Sequence, residues 1–202
     1  MPIPASIRRD PRNTGKGFSA HRGFTVIELM ITLAVLAIIT SLALPSYRTV
    51  LEKRQVTSAA EQISAFLSSV QIESVKRNEP IAVRYARAAV DSWCVGLDNA
   101  AATCDCTVTD ITDSDSCTVD GELRVLQSSS LNYPGVMSGT TGDGAFVFDP
   151  VRGLMIDHTD AAKLHLASSR GKYALDVDVS ATGRVKICSS DSSKKVPGYA
   201  SC

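Results

Sequence analysis

Gly23-Phe24-Thr25-Val26-Ile27-Glu28-Leu29-Met30 opens an apolar run that continues without a break to Leu44. From Phe24 to Leu44 Glu28 is the only charge, and the 21 residues reach about 30 Å as a helix, the thickness of a bilayer core. Length and composition together predict a transmembrane helix. In front of it, residues 1–23 carry Arg8, Arg9, Arg12, Lys16 and Arg22 against Asp10, are interrupted by Pro2, Pro4, Pro11, Gly15 and Gly17, and show no periodic apolar face. That pattern is a targeting leader, not a folded segment. A secretory signal is cut behind its apolar region, whereas Gly23 marks the natural cut in front of this one, so the helix stays on the mature chain. A basic leader ahead of the span places the leader in the cytoplasm and the rest of the chain outside.

Beyond the run, Pro45 interrupts the pattern, yet apolar residues resume at Val56, Ala59, Ala60, Ile63, Phe66, Leu67 and Val70 in steps of three and four. Such a stripe predicts that the helix continues to about Lys76, with Pro45 a kink or a locally melted turn. Glu52, Lys53, Arg54, Glu61 and Gln62 are expected on its exposed faces. Asn78-Glu79-Pro80 stops the helix, and Ile81–Ala86 and Trp93–Leu97 alternate as antiparallel neighbours should. Asp98 to Glu122 has the polar texture of a long loop. Short strands are predicted at Leu123–Leu126, Ala145–Phe148, Leu154–Asp157, Tyr173–Val179 and Val185–Cys188, with turns at 149–153 and 181–183. The expected fold is α+β: a long N-terminal helix, membrane-spanning in its first half, packed on a small antiparallel sheet domain. The parts are a leader at 1–23, the membrane half of the helix at 24–49 and a globular domain at 50–202.

With 202 residues, 44% hydrophobic and 21% charged, the chain suits one anchored domain. Its formal charge is zero, but without residues 1–23 it holds 16 Lys and Arg against 20 Asp and Glu, close to minus four. All six cysteines, Cys94, Cys104, Cys106, Cys117, Cys188 and Cys202, follow the apolar run. An even number on the exported side predicts disulfides, with four thiolates at 94, 104, 106 and 117 as a metal-site alternative that lacks paired C-x-x-C spacing. Cys188 is expected to join Cys202 around Pro197-Gly198. The other four are expected to pair among themselves, Cys104 and Cys106 being too close to be mutual partners, with the connectivity open.

Gly23-Phe24-Thr25-x-x-Glu28-Leu29 resembles the processing and methylation motif of type IV pilins and type II secretion pseudopilins. Ala145-Phe146-Val147-Phe148-Asp149-Pro150, Tyr173-x-Leu175-x-Val177 and Thr182-Gly183-Arg184-Val185-Lys186-Ile187-Cys188 are similar to the GspH, FimU and FimT branch of minor pilins. The resemblance implies cleavage after Gly23 by a prepilin peptidase, methylation of Phe24, and pairing of Glu28 with a neighbouring subunit's N-terminal ammonium. A carboxylate in the apolar layer costs roughly 3 kcal/mol, so such a partner has a physical reason. It also implies that Pro45, at mature position 22, lies where the helix loosens on assembly. The implied partners are the inner membrane, crossed once before assembly with the domain in the periplasm, and then other minor and major pilins in a fibre at the cell surface. A tip position that helps start assembly is the leading expectation; a minor pseudopilin of a type II secretion system is the alternative.

Catalysis is not expected. His158 and His165 lack His-Glu-x-x-His spacing, and there is no Gly-x-Ser-x-Gly or phosphate-binding glycine loop. No metal or other cofactor is expected; Asp105, Asp110, Asp113, Asp115, Asp120 and Glu122 lack the alternation and glycine of a calcium loop. From Gly183 on, Arg184, Lys186, Lys194 and Lys195 face only Asp191, a local charge of plus three. DNA-binding FimT-type pilins of naturally competent bacteria carry a similar Gly-Arg-x-Arg element, here ending in Lys186, which keeps the charge and loses the planar fork. Double-stranded DNA, taken up in natural transformation, is the partner this implies; a solvated strand face is the competing reading.

Overall fold

A helix whose apolar residues recur on one side must lay that side on something, and here it is laid on two sheets. The structure, a computed structural model, describes residues 23–89, 92–99, 103–131, 137–138, 144–157, 162–189 and 191–202. The leader through Arg22 and His158 lie outside the described residues. Helix α1 runs Val26–Arg77, followed by strands β1 (Ile81–Ala89), β2 (Ser92–Asn99), β3 (Thr118–Val119), β4 (Glu122–Leu123), β5 (Val125–Gln127), β6 (Met137–Ser138), β7 (Gly144–Phe148), β8 (Ala162–Ala167), β9 (Ala174–Val179) and β10 (Val185–Cys188). By internal contacts the chain divides into two units, one ending at Leu44 and one beginning at Pro45.

Within the second unit, Val56, Ala59, Ala60, Ile63, Leu67 and Val70 of α1 are fully buried, with Phe66 half-buried against the same core. They meet Ile81, Val83, Trp93, Val95, Leu97, Phe146 and Phe148 of a sheet ordered β5-β2-β1-β7, and Leu164, Leu166, Leu175, Val177 and Val179 of a sheet ordered β10-β9-β8-β6. Every strand pairing in both sheets is antiparallel. The α+β arrangement expected from the sequence, a long helix on antiparallel strands, is what the structure shows, with the strands that meet the helix divided between two four-stranded sheets.

Asn78 ends the helix in the left-handed region at φ 55°. The Glu79 N–H donates to the Ser74 carbonyl at 3.3 Å and the Asn78 N–H to that of Val75 at 3.3 Å, the paired bonds of a Schellman stop. Pro45 lies inside α1, which continues past it to Arg77 as the stripe predicts; of the two readings of Pro45, a kink or a locally melted turn, the melted turn is not seen. Glu52 is a further correction: it is buried, because Arg170 of the β8–β9 turn pairs with it from 118 residues away, a contact no local pattern announces.

Three expectations about strands change. Leu154–Asp157 is no strand: Met155 makes one isolated bridge to Phe148, and the backbone bonds of the segment scatter, Met155 N–H to Ala181, Ile156 N–H to Val147 and the Leu154 carbonyl from the Asp149 N–H. β8 was not anticipated, although Lys163, Leu164, His165 and Leu166 alternate in exposure as a half-buried strand must. The polar loop contains the hairpin β3–β4, turned by Asp120 (φ 55°) and Gly121 (φ 72°), the Asp-Gly pair a type I′ turn favours.

Candidate functional site

Three segments carry the predicted functional residues: the helix start, the disulfide loop and the C-terminal tail. Gly23, Phe24 and Thr25 precede the helix, exposed. Thr25 caps it: its Oγ1 accepts from the Glu28 N–H at 3.3 Å and its carbonyl from the Leu29 N–H at 3.2 Å. Thr25-x-x-Glu28 is also the spacing of a capping box, and Glu28 in the first turn suits the positive end of the helix dipole. This second role for Thr25 was legible in the spacing and not anticipated.

No residue from Phe24 to Leu44 is buried. The hydroxyls of the run are satisfied inside the helix: Thr32 donates to Leu29 at 2.8 Å, Thr40 to Leu36 at 2.9 Å and Ser41 to Ile38 at 2.7 Å. In hydrocarbon an unmade bond costs several kcal/mol, so this stretch is prepared for a water-free setting everywhere except at Glu28, which pairs with no described residue. α1 is long and apolar enough to cross a membrane.

All six cysteines form disulfides: Cys94–Cys106, Cys104–Cys117 and Cys188–Cys202. The first two loops overlap, so the 94–117 segment is doubly stapled, and the four-thiolate metal alternative is overturned by the sulfur–sulfur bonds. Gly96 runs under them; a Cβ there would stand 2.4 Å from the Cys117 Sγ, which only glycine avoids. The loop's acids are used locally. Asp105, Asp110 and Asp113 accept from the N–H groups of Thr107, Thr112 and Asp115 at 2.9, 2.9 and 3.0 Å. The Thr112 hydroxyl, which donates to Asp110 at 2.7 Å, together with the Thr112 N–H holds the Asp110 carboxyl below the usual carboxylate range, and the N–H and hydroxyl of Thr107 do the same for Asp105. Among the described residues no three Asp, Glu, His or Cys side chains gather as metal ligands.

The tail after β10 returns to the helix. Asp191 caps a single 3-10 turn, Ser192–Lys194; Val196 is buried in the core; and the Tyr199 hydroxyl donates to Glu61 Oε1 at 2.8 Å. Partial burial, the bond and the negative charge of Glu61 together push the Tyr199 phenol up to about 12. Arg184 precedes β10, Lys186 lies within it, and both are exposed while Val185 and Ile187 turn to the core. Lys186 stands opposite Asp178 in the ladder, and Lys194 Nζ is 3.8 Å from Asp191. The four cations therefore share the tail but not an acid-free surface.

His165 is a packing residue. Its Nδ1 lies 2.5 Å from Oδ1 of buried Asp176, directly across the β8–β9 ladder, and Cys202 Sγ is 3.8 Å from the other oxygen. Neither Asp176 nor Arg170 was anticipated, since both act through strands or turns that are remote in sequence.

Residues 59–183, more than half of the chain, match the family described as type II transport protein GspH, and residues 18–44 match the prokaryotic N-terminal methylation motif. The chain belongs to the GspH family. A type IV major alpha-pilin of Moraxella bovis is 33% identical over 63 residues, 31% of this chain and 40% of that protein. A fimbrial protein of Pseudomonas aeruginosa is 38% identical over 52 residues, 26% of this chain and 34% of that one. The chain thus spans well under half the length of these curated relatives. The crystal structure of the type IV minor pilin FimU of Pseudomonas aeruginosa aligns with a TM-score of 0.46 at 16% identity, covering 73% of this chain and 96% of that one. Membership of this family places the chain among structural subunits and not enzymes.

Proposed function

We propose that this chain is a non-catalytic pilin subunit, cut between Gly23 and Phe24 by a prepilin peptidase, methylated on Phe24 and built into a type IV pilus as a minor component at or near the tip, where it helps start assembly. Before assembly it crosses the inner membrane once, with the globular domain in the periplasm. One observation carries the reading: a helix start that is apolar on every side, internally hydrogen-bonded and buried nowhere in its own chain, with a single carboxylate, Glu28, left to an outside partner. Mass spectrometry of the native N-terminus tests it. Methylated Phe24 as first residue is expected; a chain beginning beyond Leu44 overturns the proposal. Glu28→Val should insert into the membrane at least as well as wild type and be lost from sheared fibres, because the cost of roughly 3 kcal/mol for the carboxylate is recovered only by pairing.

The family description over residues 59–183 favours a second setting for the same part, the minor pseudopilin of a type II secretion system. Deleting the secretion genes and, separately, the pilus genes separates the two by which loss follows removal of this chain. Binding of double-stranded DNA is favoured by the exposure of Arg184, just before β10, and of Lys186 within it. With Asp178 and Asp191 beside the patch, affinity should be micromolar at best and fall steeply with salt. A gel shift at low salt, lost in R184Q/K186Q, supports it; no shift for the wild type removes it.

A further inference from the structure

From Pro45 onward the chain holds 16 Lys and Arg against 19 Asp and Glu, but the signs are not mixed evenly. Arg48, Lys53 and Arg54 on α1 and Arg170 and Lys172 in the β8–β9 turn leave 11 basic and 19 acidic residues for the rest. Structure brings the two groups together. Arg48, Leu51, Glu52, Gln55, Ser169 and Arg170 line one cleft of about 320 Å³, and Lys53 and Arg54 flank an adjoining groove that shares Leu51 and Gln55. Two carboxylates are near. Glu52 is buried under Arg170, and Glu61, further along, is occupied by Tyr199.

The turn that delivers Arg170 and Lys172 is held rigidly. The Ser168 N–H donates to the Tyr173 carbonyl at 2.9 Å, and the Ser168 Oγ accepts from the N–H groups of Lys172 and Tyr173 at 3.0 and 3.1 Å. Arg170 Nε donates to Glu52 Oε1, pinning the turn to the helix, while 54% of the Arg170 side chain stays exposed. The same guanidinium therefore fastens the turn and offers its remaining donors outward.

Location gives this cluster its meaning. Arg48 is four residues past Leu44, so whatever the backbone does it stays within about 14 Å of the end of the apolar run. Headgroups occupy roughly 5–8 Å on each side of the hydrocarbon core, and long cationic side chains reach into that zone. Tyr47, 62% exposed beside Arg48, is the ring type that membrane interfaces favour. We propose that this end of the domain is a docking surface for anionic phospholipid headgroups, contacted by Arg48 and by the turn Ser168–Tyr173, so that the domain rests on the bilayer its anchor crosses until a fibre takes it up. The proposal rests on residues 24–44 spanning the membrane.

The test uses the full chain reconstituted in vesicles of phosphatidylcholine, with or without phosphatidylglycerol, and hydrogen exchange of a peptide covering 162–176. Backbone amides of 168–173 should exchange at least about fivefold more slowly on the anionic vesicles, the effect of a single basic side chain near such a surface, and high salt should remove the difference. R48Q/K172Q, or R48Q alone where the pair loses the wild-type circular dichroism, should abolish it, and R152Q, outside the cluster, should not. Equal exchange on both vesicles overturns the proposal, as does equal loss in R152Q. Equal protection on neutral vesicles by added inorganic phosphate also overturns it, since the site would then bind the free anion. Loss of the chain from vesicles in an alkaline wash overturns the anchor as well, whereas retention with equal exchange overturns the docking surface alone.

Discussion

Two stretches of one helix, both apolar, meet opposite fates. Val26 is 74% and Leu42 73% exposed, while Ile63 and Leu67 are fully buried. The difference is periodicity and not total hydrophobicity. Residues 24–44 are apolar on every side, so no single sheet could cover them, whereas the residues from Val56 to Val70 confine their apolar groups to one side and find a core. The more hydrophobic stretch is the one left exposed, and under the proposed function a bilayer or other chains bury it.

The sharpest way to break this contrast is a matched pair of truncations. Leu67→Ala should lower the stability of the domain by about 2–5 kcal/mol in denaturant unfolding, because it opens a cavity between the helix and two sheets. Leu36→Ala should leave the same midpoint within about 0.5 kcal/mol. Equal losses from both would mean that the two stretches are not energetically separate.

The disulfide loop extends the contrast to covalent support. C104S/C117S should cost about 3 kcal/mol in the chain-entropy account, with no change in membrane retention. A variant that loses retention as well would tie the anchor to the loop. The smallest expected effect belongs to Tyr199, whose phenol is raised in the fold from about 10, its ordinary value, to about 12. A raised value means that the protonated form is favoured on folding, so the contribution is complete below pH 10 and is lost as pH climbs from 10 to 12. Tyr199→Phe, at a cost of about 1 kcal/mol at neutral pH, should lack that alkaline loss relative to wild type; an unchanged pH profile would sever the tail from Glu61.

What could be read beforehand follows the same divide between local and remote causes. The stripe from Val56 to Val70, the β1–β2 pairing, β7 and β10 rest on periodicity, which neighbours in sequence announce. The Asp120-Gly121 hairpin and the alternation in β8 are equally local but weakly marked, the first by two-residue strands inside a polar stretch and the second because its small alanines and His165 disguise the pattern. Leu154–Asp157 shows the converse: apolar residues were present, but only Met155 is buried, and its bond partners lie on different strands and turns. Glu52 with Arg170 and His165 with Asp176 depend on where remote elements meet, which no window of residues reveals. At the helix start the apolar run and the Thr25 cap are set by consecutive residues, so both could be read from the sequence.

The stapled segments have a mechanical consequence. A subunit held in a filament by residues 24–44 would receive pulling force through α1, and unfolding under load would pay out chain from the domain. Disulfides withhold the stretches 94–117 and 188–202 from that extension, on the order of 100 Å of contour at 3.3–3.6 Å per residue. A stretched subunit would therefore stop lengthening early, with the acidic loop and the C-terminal tail still closed.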